Sequence, residues 1–283
     1  MRSTLVVILI FCFIPLKPVG ITESTYEGTP HYVVRTKTAT WWYDRPGGGI
    51  SRMIDRQGRD WISFKREPWN NTPESAASSY RGIPNAVYQG EDGGCGHPGF
   101  DKCVSCFEPP NIIRTKSISG KWEWTWTFFE DHAVWEVVKT DTSRRYWFLY
   151  EGPAGGSFVP EKSYWQNGSS PSVLRDMPDH MKGERITGNW KWVVFGRDDV
   201  KSRLFVIHQT YDNETDSFSY MGSTGDDIGS EDGMTVFGFG RTADSKPLLT
   251  GNHKFVIGFY YRNNNKKFIK LRSNSVPTQY NHV

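Results

Sequence analysis

Helical periodicity is almost absent from this sequence of 283 residues. No window of a dozen residues places apolar side chains three and four apart without a Gly or Pro among them, so a helical fold is not predicted. The sequence also lacks a Walker loop, a dinucleotide-binding fingerprint, a G-x-S-x-G elbow and an H-E-x-x-H motif. These absences argue against nucleotide-dependent, α/β-hydrolase and zinc-protease chemistry.

A strong excess of charge of either sign is also missing. The chain has 34 Lys and Arg residues against 31 Asp and Glu residues, with a formal net charge of +3. A chain so nearly neutral has no global field that would attract nucleic acid or an anionic membrane. We therefore expect no nucleic-acid partner, and any anionic ligand must be met by local positive charge.

Long hydrophobic runs are confined to the N-terminus, where Ser3 to Leu16 are almost wholly apolar. This run is shorter than the roughly 20 residues of a membrane-spanning helix. A basic residue precedes it and Lys17-Pro18 follow it, which is the order of a secretory signal peptide. The sequence thus predicts a signal peptide over 1–20 and a single β-sandwich domain over 21–283, with no membrane span in the mature chain. We expect a secreted protein, or a periplasmic one if the source is a Gram-negative bacterium.

Aromatic residues are abundant, at 15% of the chain, and 12 of them are Trp. They stand in alternating runs, which are typical of strands and also suit surfaces that stack on sugars. The runs are bounded by Gly, Asp, Asn or Pro, so we predict about ten strands with polar turns in an all-β fold, an antiparallel sandwich or barrel. The predicted strands lie in segments 31–44, 47–64, 121–130, 132–140, 144–152, 189–196, 202–212, 234–241 and 253–262.

Three segments of this sequence resemble known β proteins. The segment "GGGISRMIDRQGRDWISF" (47–64) resembles the early hairpin of galactose-mutarotase-like supersandwich domains. The segments "YWFLYEGPAGG" and "MTVFGFGR" resemble those of secreted bacterial proteins associated with polysaccharide breakdown. The matching segments include no catalytic signature. The resemblance therefore implies a supersandwich fold and a polysaccharide or oligosaccharide partner, but not aldose epimerisation.

The stretch 80–106 has no regular periodicity and contains Cys95, Cys103 and Cys106. An exported chain meets oxidising conditions, so we expect one disulfide among these three residues and one remaining thiol. The alternatives are a tetrahedral zinc site made by the three thiolates and His97, or free thiols and intermolecular pairing. Because the spacing matches no established zinc knuckle, we expect no stoichiometric metal, and no cofactor is predicted.

Polar side chains of the same stretch are suited to a binding cleft. Arg81 can bind a carboxylate through its planar guanidinium, Asn85 can hydrogen-bond sugar hydroxyls, and His97 can act as a base. The alternative is that Arg81 and Asn85 satisfy main-chain groups of the loop and that His97 is a surface turn residue.

Alternation predicts two faces for the strand in "RRYWFLYEG". One face carries Tyr146, Phe148 and Tyr150, and the other carries Trp147, Leu149 and Glu151. Glu151 then ends its strand at a Gly-rich loop, a common position for a functional carboxylate, although a solvent-exposed charge is the alternative. Tyr164 and Trp165 follow, either to stack on a sugar ring or to pack over the end of the sandwich.

His208 ends an apolar strand in "RLFVIHQTYD", so it is either a base in a cleft or a satisfied interior histidine. The acidic residues that follow it lack the order of an EF-hand and are read as a solvated loop. Asn70, Asn167 and Asn213 begin N-x-S/T sequons, which mark exposed glycosylated loops if the source is eukaryotic.

These residues support two functions of different classes. The first is a polysaccharide lyase acting on an acidic glycan, and the second is a non-catalytic carbohydrate-binding module or an extracellular interaction protein. A lyase needs a group that neutralises the uronate carboxylate, a base and an acid. Arg81 or Asn85 is the candidate to neutralise the carboxylate. The candidate base is His97 or His208, and the candidate acid is Tyr150 or Tyr211. Substrate binding is assigned to Trp147, Glu151, Tyr164 and Trp165.

A single site makes a geometric demand on these residues, because the polar groups of a cleft must point at a common volume. We expect one surface to be lined by at least three of Arg81, Asn85, His97, Glu151 and His208.

Overall fold

The computed structural model describes residues 19–66, 80–87, 90–157, 159–210, 212–221, 233–262 and 264–273. All but the last two residues of the predicted signal peptide lie outside these ranges, so that prediction is untested. None of the helices in the described part of the chain is long and apolar enough to cross a membrane.

Eighteen strands and one α-helix occur in these ranges. In chain order they are β1 (Gly20–Tyr26), β2 (Thr29–Arg35), β3 (Ala39–Asp44), β4 (Gly49–Asp55), β5 (Gly82–Asn85), β6 (Cys103–Glu108), β7 (Ile112–Ser117), β8 (Glu123–Phe128), β9 (His132–Lys139), β10 (Phe148–Gly152), β11 (Ser163–Asn167), β12 (Ser170–Leu174), β13 (Ile186–Gly188), β14 (Trp192–Arg197), β15 (Ser202–His208), β16 (Asp216–Met221), β17 (Met234–Phe239), β18 (Lys254–Tyr261) and α1 (Lys266–Ser273).

The strands form two nine-stranded antiparallel sheets, which confirms the predicted all-β sandwich. The first sheet has the order β1-β2-β3-β4-β5-β10-β17-β16-β13, and the second has the order β12-β11-β14-β15-β18-β9-β8-β7-β6. Strands make up 51% of the structure and helices 6%. The sequence thus predicted the class correctly but predicted too few strands.

Segment 47–64 differs from its predicted strand-turn-strand pattern. Its first half is β4, but its second half contributes only an isolated bridge at Asp60. The Asp60 carboxylate accepts main-chain N–H bonds from Met53, Ile62 and Ser63 at 3.1–3.2 Å. Because one side chain gathers three N–H groups, the chain bends around it instead of continuing the sheet.

The core lies between the two sheets and is largely aromatic. Trp41 of the first sheet packs against Trp126 of the second, with ring centroids 6.3 Å apart. Phe148 of β10 stacks on Phe255 of β18 at 4.4 Å. These four rings are all fully buried, so alternation on strands of both sheets directs the aromatic runs into one interior.

The two faces predicted for β10 are confirmed. Tyr146, Phe148 and Tyr150 belong to the core cluster, whereas Trp147, Leu149 and Glu151 point to the other side of the first sheet. On that outer side a cavity is lined by residues of the four strands β5, β10, β17 and β16 and of loops beside them. The outer face is therefore where the fold leaves space for a ligand.

Candidate functional site

A cleft of about 630 Å³ lies on the outer face of the first sheet, and we call it the Glu151 cleft. Strand register builds its floor. Glu151 of β10 is paired with Val236 of β17, which is paired with Ser219 of β16. Side chains of directly paired residues project from the same face of a sheet, so these strands present one row of side chains to the cleft. The polar or aromatic residues that matter most in its lining are Asn85, His97, Trp147, Glu151, His180 and Arg241.

Glu151 is the acidic group of the cleft and is 9% exposed. Asn85 Nδ2 donates a hydrogen bond to its Oε2 atom. Burial raises the pKa of Glu151 from 4.5 to about 7, against the lowering effects of the Arg241 charge and the Asn85 hydrogen bond. Near neutral pH the carboxyl is therefore present in both protonation states, as a group that transfers protons must be.

Asn85 supplies an amide with an open acceptor. Its Nδ2 atom also donates to the Tyr80 carbonyl at 3.0 Å. Its Oδ1 atom is buried and accepts no hydrogen bond from the described residues. Since buried polar atoms are nearly always paired, this oxygen is suited to a donor from a ligand, such as a sugar hydroxyl.

Arg241 is the cation of the cleft, and its guanidinium lies over the Trp147 ring, 5.5 Å from the centroid. Its Nη2 atom donates to Ser245 Oγ at 2.9 Å. The position of this side chain depends on Gly238, where a Cβ atom would lie 2.9 Å from Arg241 Cδ and 2.6 Å from the Leu149 side chain. A glycine is thus required for Arg241 to lie across the sheet.

His180 approaches the cleft from the loop before β13. Its main-chain N–H donates to the Tyr220 carbonyl at 3.0 Å, and its Nδ1 atom lies 2.9 Å from Ser219 Oγ. The pKa of His180 is lowered to about 4, first by burial and then by the charges of Arg185 and Arg241. The imidazole is therefore neutral at pH 7 and able to accept a proton.

Four of the predicted site residues come together here. Asn85, His97, Trp147 and Glu151 all line the Glu151 cleft, so two distant stretches of the sequence meet at one concave surface. Trp147 does not offer an open stacking surface, because it is buried beneath Arg241. The Trp147 ring therefore positions the Arg241 guanidinium and does not stack on a sugar ring.

His97 lies in the cleft wall, but the structure argues against its role as a base. Its Nδ1 atom lies 2.6 Å from the Pro98 carbonyl and its Nε2 atom 2.9 Å from the Tyr80 carbonyl. Burial lowers its pKa to about 4. With both nitrogens directed at main-chain oxygens, His97 shapes the loop instead of accepting a proton from a ligand.

Arg81 and Tyr150 are buried away from the cleft, in contrast to their predicted roles. Arg81 donates to the carbonyls of Ser63 and Gly233, so it ties the main chain of separate segments together. The Tyr150 hydroxyl donates to the Trp61 carbonyl at 2.8 Å on the core side of β10. Neither group is placed to contact a ligand in the Glu151 cleft.

Tyr164 and Trp165 belong to β11 in the second sheet, so their predicted role in stacking on substrate is wrong for this cleft. Trp165 is 1% exposed and packs against Trp190 and Phe218, with ring centroids 5.1 and 4.5 Å away. The Tyr164 hydroxyl accepts a hydrogen bond from Arg203. Both rings serve the packing of the sandwich.

His208 also lies in the second sheet and does not reach the Glu151 cleft. It is buried against Phe255 and His253, and its pKa is lowered to about 3, first by burial and then by the His253 charge. The structure thus favours the interior alternative for this residue. Tyr211 and Asn70, also singled out from the sequence, lie outside the described residues.

The cysteines are only partly brought together. Cys95 and Cys103 are buried with their sulfurs 3.3 Å apart, and all three cysteines are free thiols, so the predicted disulfide is not present. Alternation along β6 buries Cys103 and exposes Cys106. A zinc site of three thiolates and His97 is therefore wrong, because Cys106 points away from the others.

The remaining sequons differ in their surroundings. Asn167 is 4% exposed, and its Oδ1 atom accepts the main-chain N–H groups of Ser169 and Ser170 at 2.9 and 3.0 Å. It closes the turn between β11 and β12, which is not the exposed loop expected of a glycosylated residue. Asn213 is exposed in the loop between β15 and β16, so its glycosylation stays a prediction.

Sequence reasoning missed two residues of the site, His180 and Arg241. Arg241 ends the quoted segment "MTVFGFGR", where alternation from Met234 already assigns Val236 and Gly238 to one face. Arg241 is out of phase with that row, and the strand ends at Phe239 before Gly240 with a φ of 63°, so alternation alone does not place Arg241 in the cleft. His180 lies in a loop without periodicity, so no local pattern marks it.

Comparison with known proteins supports the fold. None of the protein-family models matches the chain, and no curated protein matches it in sequence. Among solved structures, the protein HI1317 matches with a TM-score of 0.53 and 10% identity, over 89% of this chain and 99% of that one. A galactose mutarotase related enzyme from Lactobacillus acidophilus matches with a TM-score of 0.49 and 9% identity, over 81% and 97%.

A xanthan lyase from Paenibacillus is also similar, with a TM-score of 0.48 and 10% identity over 92% of this chain and 27% of that one. The structural neighbours thus include galactose-mutarotase-like proteins, the group that the sequence resembles. At identities this low, similarity shows a shared fold and leaves the reaction to be argued from the site.

Proposed function

We propose that this protein is an exported enzyme that binds an acidic polysaccharide in the Glu151 cleft and cleaves it by β-elimination. The observation that carries the proposal is the meeting of four complementary groups in one cleft. They are the Glu151 carboxyl with a pKa of about 7, the neutral His180 imidazole, the Arg241 guanidinium and the Asn85 amide.

β-Elimination next to a uronate carboxylate makes three demands. A base removes the proton from C5, the C4–O bond breaks as the C4–C5 double bond forms, and the leaving oxygen takes up a proton. Negative charge grows on the uronate carboxylate during the reaction, so a cation or amide beside it lowers the barrier. In our proposal His180 is the base, Glu151 is the acid, and Arg241 with Asn85 neutralises the carboxylate.

These roles replace those assigned from the sequence. Arg241 takes the place of Arg81 as the cation, and His180 takes the place of His97 as the base. Glu151 changes from a binding residue to the proton donor, since its raised pKa leaves it partly protonated at neutral pH. Asn85 keeps its predicted role.

The test is incubation of the pure protein with a panel of uronate polysaccharides while the ultraviolet absorbance of the unsaturated product is followed. We expect turnover on at least one of them, and a kcat lower by about 10²- to 10⁴-fold in Glu151→Gln, as is typical for loss of a general acid. Glu136→Gln is the matched control, because Glu136 lies on β9 of the second sheet, outside the Glu151 cleft, and is paired with Lys254 at 3.0 Å. Binding of glycan without product on the whole panel would identify a binding module and refute the enzyme.

The pH dependence gives a second readout of the same roles. The base must be neutral, so kcat/KM should rise with pH through the His180 pKa of about 4. The acid must be protonated, so it should fall again through the Glu151 pKa of about 7. A bell-shaped profile is expected between these values, and an activity that still increases above the Glu151 pKa would contradict the assignment.

A further inference from the structure

A second group of polar side chains shares no residue with the Glu151 cleft. His208 is the last residue of β15, His253 directly precedes β18, and Asp212 lies in the loop from β15 to β16. The His208 Nε2 and His253 Nδ1 atoms are 2.8 Å apart. Asp212 Oδ2 lies 3.5 Å from His208 Nδ1 and 3.7 Å from His253 Nδ1.

The hydrogen bonds around these residues leave lone pairs facing one another. His253 Nε2 lies 3.0 Å from the Thr250 carbonyl, which can only accept, so Nε2 carries the proton and Nδ1 accepts from His208 Nε2 at 2.8 Å. The neutral His208 ring then has its lone pair on Nδ1, which lies 3.5 Å from Asp212 Oδ2. Asp212 Oδ2 is buried and accepts no hydrogen bond from the described residues. An imidazole lone pair and an unsatisfied carboxylate oxygen therefore converge, and a buried oxygen of this kind calls for a partner.

We propose that His208, Asp212 and His253 bind a divalent transition-metal ion, with Zn²⁺ as the expected occupant. These are the only three side chains with metal-ligand atoms that cluster in this way within the described residues. Two imidazoles and a carboxylate are donors that zinc prefers, and a three-residue set leaves one position of a tetrahedron for water. The proposal departs from the expectation, drawn from the sequence, that no metal is bound.

The distances fit such an ion. Tetrahedral zinc with ligands at about 2.0–2.1 Å spaces its donor atoms about 3.3 Å apart. The two nitrogen–oxygen separations of 3.5 and 3.7 Å are close to this value. In this arrangement His208 offers its Nδ1 atom to the ion, and the ligand atoms of the three residues lie within 4.8 Å of one another. Binding of His253 Nδ1 to the ion would replace its 2.8 Å contact with Nε2, the other nitrogen of the His208 ring.

The surroundings also suit a metal. The bond from His253 Nε2 to a main-chain carbonyl is the contact that commonly orients a metal-binding histidine. The His208 ring is stacked on Phe255 at 4.3 Å, which holds it in an apolar shell. A cavity of about 310 Å³, lined in part by Gln209, Thr210 and His253, gives a route to the site and room for a water ligand.

The proposed ion would act on stability and not on the glycan. His208 and His253 belong to strand ends of the second sheet, whereas the loop that carries Asp212 leads into β16 of the first. A bound ion would therefore join the two sheets at this end of the sandwich. An ion that binds the folded chain but not the unfolded one raises the unfolding temperature, and the stabilisation grows with the logarithm of the ion concentration divided by its Kd.

The test titrates Zn²⁺ into the full-length, chelator-treated protein, in competition with a chromogenic chelator. We expect one Zn²⁺ per chain, an increase in the thermal unfolding temperature on binding, and a tetrahedral absorption spectrum when Co²⁺ replaces it. Asp212→Asn should weaken Zn²⁺ binding at least about tenfold and abolish the thermal shift. Asp131→Asn is the matched control, since Asp131 pairs with His132 at 2.6 Å but belongs to no three-ligand group of the described chain.

Two results would overturn the proposal. One is the absence of saturable Zn²⁺ binding by the wild-type protein. The other is Zn²⁺ affinity in Asp212→Asn equal to that of the wild type, because the ion would then be held elsewhere. A His253→Gln variant, checked for folding by circular dichroism, provides the same comparison from a second ligand.

Discussion

The inner and outer faces of β10 place neighbouring residues in opposite environments. On the inner face, Phe148 stacks on Phe255 of the other sheet at 4.4 Å. On the outer face, Glu151 lies beside Asn85 in a cleft that also contains a cation and a neutral imidazole. Because alternate side chains of a strand point to opposite sides, one short strand contributes to the core through one face and, in our proposal, to the reaction through the other. The effects of substitutions on the inner face and on the outer face should therefore be separable by experiment.

The largest effect on stability is expected from the inner face. Phe148→Ala removes a fully buried ring between two sheets, where the surrounding strands cannot collapse into the space. We expect the free energy of unfolding to fall by about 3–5 kcal/mol, measured by urea denaturation. The folded protein should still bind glycan as the wild type does. A loss below about 1 kcal/mol would show that the contact between the sheets at β10 contributes little.

The outer face should instead make stability depend on pH. Burial raises the pKa of Glu151 from 4.5 to about 7 in the folded protein, so the folded state binds more protons than the unfolded state between these values. The free energy of unfolding should then decrease as pH rises from about 4.5 to about 7 and level off above, by a total on the order of 3 kcal/mol.

The Glu151→Gln variant removes this contribution and should be more stable than the wild type at pH 8, although less active. Other buried carboxyls such as Asp216 also have a raised pKa, so the comparison of the two proteins, rather than either curve alone, isolates Glu151. Chemical denaturation at several pH values gives the measurement. Parallel curves for the two proteins would show that Glu151 is not buried as described.

The contrast between the two faces also explains what could be predicted from the sequence. Alternation is a local property, so it correctly assigned Phe148 to one face and Glu151 to the other. It could not say which face was inside, and Tyr150 was therefore given a catalytic role that its buried bond to the Trp61 carbonyl excludes. That choice depends on which sheet packs opposite, a property of the whole fold.

Contacts between residues that are distant in the chain also limited what could be predicted from the sequence. Arg81 and Arg241 have the same chemistry, and only the tertiary structure shows that Arg81 binds the Gly233 carbonyl whereas Arg241 lies over Trp147. The convergence of Asn85, His97 and Glu151 was predicted because strand ends and a long loop tend to meet at a cleft. His180 was missed because its position depends on the pairing of its loop with β16.

The smallest effect we predict concerns Gly238, which lies on the outer face beside Leu149 and beneath the Arg241 side chain. A Cβ atom here would lie 2.6 Å from Leu149 Cδ2 and 2.9 Å from Arg241 Cδ, so Gly238→Ala should push the guanidinium off the Trp147 ring. We expect the affinity for an acidic oligosaccharide to fall by roughly tenfold, or about 1.4 kcal/mol, measured by calorimetry, and the affinity for a neutral one to stay unchanged. Gly168→Ala is the matched control, because the atoms nearest to its new Cβ lie at an ordinary 3.4 Å.

The same variant tests the electrostatic link between Arg241 and Glu151. The Arg241 charge lowers the pKa of Glu151, so displacing it should raise that pKa and move the alkaline limb of the activity profile to higher pH. A merely structural defect would reduce activity at every pH without moving the limb. If Gly238→Ala weakens acidic and neutral glycans equally and leaves the limb in place, Arg241 does not act on the substrate carboxylate, and the outer face binds sugar through its uncharged groups alone.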